Sequence, residues 1–228
     1  MSWFQRKKEG PDRESANAAS TGSQTPEATE GHQPESTLGL MQDWPMTIDK
    51  IITHAKRTHP WREVVTRGAE GDLRRSNYGA VYDQARRVSA SLLRRGIRLG
   101  DRVGTLAWNT ERHMELWYGI AGIGAVFHTL NPRLFPHQLA WIANHADDRL
   151  IFADITFIPL LEAIQDHLPK VEGFILLTTA AQVPPTKLRN VTSYEAFLGE
   201  SNGAPEPEWG KFDENTACGL CYTSGTTG

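Results

Sequence analysis

RVGTLAWNTERHMELWYGIAGIGAVFHTL, residues Arg102–Leu130, decides the architecture. Arg102 to Ala107 is a short apolar run that reads as a buried strand. Thr110 then supplies an N-cap, and Met114, Trp117, Tyr118 and Ala121 fall on one helical face. Gly124 ends the helix, and Ala125 to Leu130 is a second strand. Strand, helix and strand in this order imply a right-handed crossover between parallel strands.

Reading outward, the same theme repeats. Pro136 opens a helix through Leu139, Ile142 and Ala143, followed by the strand Arg149–Ala153. Thr156 is the expected cap of the next helix, with Pro159 tolerable in its first turn, and Phe174–Leu177 is again a strand. Upstream, Thr47 is the expected cap of a helix bearing Ile48, Ile51, Ile52 and Ala55, and Glu63–Thr66 is a strand candidate. Asn77 caps a helix whose apolar positions Val81, Ala85, Val88 and Leu92 are spaced four, three and four apart, with Gly96 beyond its end. The fold class is therefore α/β, a largely parallel sheet with helices on both faces. Residues 178–215 carry Pro-rich turns around a helical Tyr194–Leu198, and Thr216–Tyr222 reads as a final strand.

Composition bounds the rest. The chain has 228 residues, 39% of them hydrophobic and 22% charged, with a net charge of −3, so neither nucleic acid nor an anionic membrane is an expected main partner. No apolar run reaches the length of a membrane span, and the first residues lack the apolar core of a secretory signal. Two cysteines fit a reducing compartment, which makes a cytoplasmic protein the expectation. From Gln5 to Thr37 there is no Val, Ile, Leu, Phe, Tyr or Trp. Residues 1–39 therefore read as a disordered polar tail, with Trp3 and Phe4 beside basic residues too short a cluster for stable membrane anchoring. Residues 40–228 read as the ordered part, and it is nearly neutral.

The last strand runs into Tyr222-Thr223-Ser224-Gly225-Thr226-Thr227-Gly228. Ligands of parallel sheets collect at the carboxyl ends of strands. Gly225 and Gly228 let backbone N–H groups turn around an anion, and Thr223, Ser224, Thr226 and Thr227 add hydroxyl donors. Chemistry alone leaves the ligand open.

This stretch resembles the phosphate-binding signature of the adenylate-forming (AMP-binding) superfamily, which includes acyl-CoA synthetases, luciferases and peptide-synthetase adenylation domains. Asn77-Tyr78, Gly100-Asp101-Arg102-Val103 and Gly124-Ala125-Val126 leading to Asn131-Pro132-Arg133-Leu134 stand in that family's order. Leu40-Met41-Gln42-Asp43-Trp44-Pro45-Met46-Thr47 is similar to the fatty-acid–CoA ligase branch. The resemblance implies that residues 40–228 are an incomplete N-terminal AMP-binding domain without the C-terminal lobe. It implies a parent that activates a carboxylic, and specifically fatty, acid with ATP and Mg²⁺, then transfers the acyl group to coenzyme A. Thr223, Ser224, Gly225, Thr226, Thr227 and Gly228 inherit contact with the ATP phosphates by matching the motif. The family's following lysine, Mg²⁺ ligand, ribose-binding aspartate and acyl pocket would lie beyond Gly228. The 228 residues alone are therefore expected to be inactive and to bind no cofactor tightly, and a homodimer is an expectation for the parent. Two alternatives stay open: an adenylating enzyme with another acceptor, and a non-catalytic or partner-binding fragment.

Other features read as structural. Cys218 and Cys221 on a strand are expected to pack on opposite faces, not to bind zinc, and His128 reads as a core or supporting histidine. Asp147-Asp148 reads as turn punctuation, and Trp117 and Trp141 as core. The group Arg86, Arg87, Arg94 and Arg95 reads as a solvated helix face, with a coenzyme A phosphate contact left open.

Overall fold

The computed structural model describes residues 39–40, 44–68 and 71–223. The polar tail up to residue 38, Met41–Asp43, and Ser224–Gly228 lie outside the described residues, so the tail reading and most of the hydroxyl-rich loop fall there. Residues 43–228 form one unit.

The repeated strand–helix theme builds a six-stranded, wholly parallel sheet. Its strands are β3 (Arg102–Leu106), β4 (Val126–Thr129), β5 (Asp148–Ala153), β6 (Gly173–Leu176), β7 (Val191–Ser193) and β8 (Gly219–Cys221). They stand in the order β7-β6-β5-β3-β4-β8. A separate antiparallel pair joins β1 (Glu63–Arg67) to β2 (Leu73–Asn77).

The inner strands β3 to β6 bury both faces, and alternate residues enter two different cores. Val103, Phe127, Leu150, Phe152 and Ile175 join α1 (Asp49–Thr58), α2 (Tyr78–Arg94), α3 (Glu111–Gly122) and α6 (Tyr194–Gly199) on one side. Leu106, Ile151, Ala153, Phe174 and Leu176 join α4 (Pro136–Ala146) and α5 (Ile158–Ile164) on the other. Two-sided burial is what makes these strands read as continuous apolar runs. α3 leaves β3 toward the first face and α4 leaves β4 toward the second. The carboxyl ends of these neighbours diverge, opening the kind of crevice in which open α/β sheets hold ligands.

The helix boundaries follow their caps where the caps exist. Asn77 Oδ1 accepts from Ala80 N at 2.9 Å, and Thr110 Oγ1 from His113 N at 3.4 Å. Gly124 ends α3 with φ +74°, and a Cβ there would sit 2.9 Å from Leu99 Cδ1. Thr47 does not cap α1. The helix starts at Asp49 with Ile48 before it, no side chain caps it, and Ile51 is exposed. Asp49 in the first turn complements the helix dipole instead. Thr156 is likewise no α-helix cap: it sits within a 3₁₀ turn ahead of α5, and its hydroxyl accepts from Trp108 Nε1 at 3.1 Å.

The arginine-rich face of α2 is a docking face, not a solvated one. Arg87 donates to Leu198 O and Ser201 Oγ, and Arg94 to Glu200 O and Asn202 O. Arg95 pairs with Glu200 at 2.5 Å and Arg86 with Glu206 at 2.7 Å. These bonds tie the segment after α6 to α2.

α2 and α3 cross closely because Gly119 has no side chain. A Cβ there would meet Val88 Cγ1 at 2.6 Å and Ala85 O at 2.8 Å. Inside the same contact Trp209 Nε1 donates to Ser89 Oγ at 2.7 Å, and Ser89 Oγ donates to Gly119 O at 2.6 Å. Every buried polar atom in that chain of bonds has a partner, which such a core demands. Gly119→Ala should overpack this crossing and lower stability by about 1–3 kcal/mol. Asn77→Ala should remove one cap and lower it by about 1 kcal/mol. Shifts in the urea-unfolding midpoint at unchanged slope will measure both.

Candidate functional site

The site is built at the carboxyl edge of β4 and β8. β8 pairs with β4 in three rungs, Phe127↔Gly219, His128↔Leu220 and Thr129↔Cys221. This strand is shorter than the Thr216–Tyr222 run of the sequence, and it forms one edge of the sheet. Thr223, exposed and directly beyond Tyr222, is the part of the hydroxyl-rich loop that the structure describes. The remaining motif residues, Ser224, Gly225, Thr226, Thr227 and Gly228, lie outside the described residues.

Beside β8, the chain leaving β4 turns tightly at Asn131-Pro132-Arg133-Leu134. Asn131 Oδ1 accepts from Arg133 N at 3.0 Å, and Leu134 N donates to Asn131 O at 3.2 Å. An asparagine at the first position of such a turn hydrogen-bonds its own following backbone, which fixes the exit from the strand.

On the α3 side a cavity of about 610 Å³ opens between β1, α3, β4 and β8. Thr66, Thr110, His113, Trp117, Thr129 and Cys221 are among the side chains lining it. Trp117 is 38% exposed there, and Trp141 on α4 is 48% exposed and stacks on His145 at 4.7 Å. Neither tryptophan is core, because both stand on helix flanks that the described residues leave uncovered. Cys218 and Cys221 are also exposed free thiols, since an edge strand lacks the second neighbour that would bury them. Among the described residues, no group of three or more His, Cys, Asp or Glu could hold a metal ion.

Burial sets the protonation of the groups around this edge. His113 Nε2 lies 3.1 Å from Thr105 Oγ1, whose own hydroxyl donates to His128 O at 3.2 Å. The threonine proton is thus used, so His113 Nε2–H is the donor and Nδ1 is left as an acceptor. Burial lowers the His113 pKa to about 4, so the ring is neutral at pH 7. Two residues further along α3, burial raises Glu115 to about 7, while the hydrogen bond from Tyr194 opposes the shift. The Tyr194 hydroxyl donates to Glu115 Oε2 at 2.8 Å.

On the opposite sheet face His128 and Asp148 are fully buried and face each other, with Nδ1 2.8 and 2.9 Å from the two carboxylate oxygens. His128 is thus the core histidine that its strand position suggests. Asp148 is more than a turn residue: Asp147, at φ +57°, makes the turn, and Asp148 begins β5. The Thr105–His113 and Glu115–Tyr194 contacts carry no sequence spacing that would announce them. The buried carboxylate had one visible sign, a glycine, Gly104, in the middle of a central strand.

Glu115 gives a pH signature. Its folded pKa lies above the unfolded value, so its contribution is full below about pH 4.5 and is lost as pH rises through 7. The upper bound of that loss is about 3 kcal/mol. His113, depressed in the folded state, acts with the opposite sign: its contribution is full above about 6.5 and is lost as pH falls through 4. The two slopes offset each other between these values in the native protein. Glu115→Gln should therefore gain stability relative to the native chain as pH rises from about 5 to about 8, as read from paired urea titrations across that range.

Residues 52–228 match the AMP-binding enzyme family. The chain is 44% identical over 191 residues to a 3-methylmercaptopropionyl-CoA ligase of Ruegeria lacuscaerulensis, covering 84% of this chain and 35% of that protein. It is 39% identical over 191 residues to a medium-chain-fatty-acid–CoA ligase of Ectopseudomonas oleovorans, again covering 84% and 35%. The chain thus spans about a third of the length of the curated relatives it matches. Its fold is similar to that of the anthranilate CoA ligase AuaEII in the crystal structure with anthranoyl-AMP. That similarity has a TM-score of 0.68 at 22% identity, over 81% of this chain and 33% of the other.

Proposed function

The chain belongs to the AMP-binding enzyme family, and on that premise we propose that it is the first lobe of an ATP-dependent acid–thiol ligase. The parent activates an aliphatic carboxylic acid, of short to medium length by analogy with the relatives' names, and passes the acyl group to coenzyme A. The substrate carboxylate attacks the α-phosphorus of ATP and pyrophosphate leaves. The coenzyme A thiol then attacks the acyl carbon of the adenylate and AMP leaves.

Thr223, Ser224, Gly225, Thr226, Thr227 and Gly228 hold the β- and γ-phosphates in the first half of the reaction. Their work is positioning and charge stabilisation, which needs preorganised N–H and O–H donors and not a nucleophile. One observation carries this reading: β8 delivers Tyr222 and Thr223 to the carboxyl edge of a parallel sheet, beside the crevice where β3 and β4 send their helices to opposite faces. Mg²⁺ belongs to the parent together with its ATP, and no ligand for it is assigned among the described residues, where no group of three or more His, Cys, Asp or Glu could hold a metal ion. No helix among the described residues is long and apolar enough to cross a membrane. A cytoplasmic location and a homodimeric parent complete the proposal.

Acid-dependent ATP–pyrophosphate exchange tests it. A polypeptide extended to the length of the relatives should catalyse exchange with short- and medium-chain acids, and one of only these 228 residues should not. Thr226→Ala in the longer polypeptide should lower kcat/KM for ATP about ten- to a hundredfold, the weight of one charge-assisted hydrogen bond. Exchange unchanged in that variant would remove the loop from the mechanism.

A further inference from the structure

A hydrogen-bonded histidine and aspartate, both fully buried, are an expensive way to fill space between a sheet and a helix. Taking such polar groups out of water costs more than one shared hydrogen bond returns, and apolar side chains of similar volume would serve packing as well. Here the pair sits where the sheet meets the loop. His128 is the central rung of the β4–β8 pairing, opposite Leu220. Asp148 reaches it across β3 because Gly104, paired with His128 in the register, leaves room. A Cβ at Gly104 would lie 2.9 Å from Asp148 Oδ2.

Asp148 takes the Nδ1 proton into a two-oxygen hydrogen bond and so fixes both the tautomer and the orientation of the ring. The fixed ring stands against Tyr222, with centroids 5.4 Å apart at 47°. Its Nε2 is buried without a hydrogen-bond partner among the described residues. Tyr222 is held from its other end by α4: its hydroxyl lies 2.5 Å from His145 Nδ1, and Trp141 meets its ring edge-on at 6.4 Å. Thr223 follows directly.

We propose that the Asp148–His128 pair is a positioning element that fixes Tyr222, and with it the start of the hydroxyl-rich loop. Its functional consequence rests on the reading of that loop as a phosphate binder; the positioning itself does not.

The test uses the 228-residue chain and NMR. His128→Gln keeps a donor toward Asp148. The double variant His128→Leu/Asp148→Asn removes the pair without stranding a buried charge, so that it folds. In the glutamine variant, Tyr222 ring shifts and amide exchange over Leu220–Thr223 should stay within about twofold of the native chain. In the double variant, exchange there should rise about tenfold or more relative to amides of β3 and β5, with loss of the Tyr222 ring-current shifts. Exchange that rises equally in β3, β5 and β8, or does not rise, would reduce the pair to core filling and overturn the proposal. Inorganic pyrophosphate is then titrated into polypeptides extended to the length of the relatives, one with the native residues and one with the double substitution. A Thr223 amide shift that weakens in the variant supports the link to phosphate. If exchange responds as stated but Thr223 ignores pyrophosphate in both proteins, the positioning role stands and the phosphate reading fails.

Discussion

Three parallel rungs between β4 and β8 fix the last described strand to the sheet. Without Phe127↔Gly219, His128↔Leu220 and Thr129↔Cys221, Tyr222 and Thr223 would have no fixed relation to the sheet. With them, Thr223 emerges next to the tight Asn131 turn and across from the end of β3. The rest of the fold supports this geometry. β3 is held between β4 and β5 in the sheet interior, and the two cores clamp it from both faces. The close approach of α2 to α3 at Gly119 sets how α3 lies over that edge.

A second theme is polar chemistry inside an apolar frame. Ser89 links Trp209 to Gly119, Thr105 links His113 to the backbone of β4, Tyr194 holds Glu115, and His128 holds Asp148. Such contacts contribute little net stability each, but leaving one partner alone in the core is costly. They therefore specify register and helix placement more than they add to total stability. All four reach α3 or the strands β3, β4 and β5 around which the sheet is built.

Much of this was legible in the sequence, and the exceptions share a cause. Two-sided burial made Arg102–Ala107 and Phe174–Leu177 read as strands, and the local chemistry of Asn77, Thr110 and Gly124 marked helix ends. These signals are local. β2, Leu-Arg-Arg-Ser-Asn, escaped because its partner is β1 in a separate two-stranded ribbon, so it carries no apolar run. Thr156 and Thr47 were plausible caps overruled by a 3₁₀ turn and by a helix start shifted one residue. Trp117, Trp141, Cys218 and Cys221 read as core from residue type, yet their exposure depends on whether anything covers that flank, which spacing does not encode. The arginines of α2 were assigned to solvent for the same reason: their acceptors, near residues 198–206, lie more than 100 positions away. The phosphate-binding reading of the loop rests on resemblance and on the rule that ligands gather at carboxyl ends of parallel strands, and Ser224–Gly228 lie outside the described residues.

The central claim is that β8 carries a nucleotide-phosphate grip to this edge. A crystal structure of the relative-length polypeptide with a non-hydrolysable ATP analogue tests it most directly. Oxygens of the β- and γ-phosphates should lie within about 3.2 Å of N–H or hydroxyl groups between Thr223 and Gly228. Phosphates bound elsewhere, with that stretch contacting only protein or solvent, would contradict it.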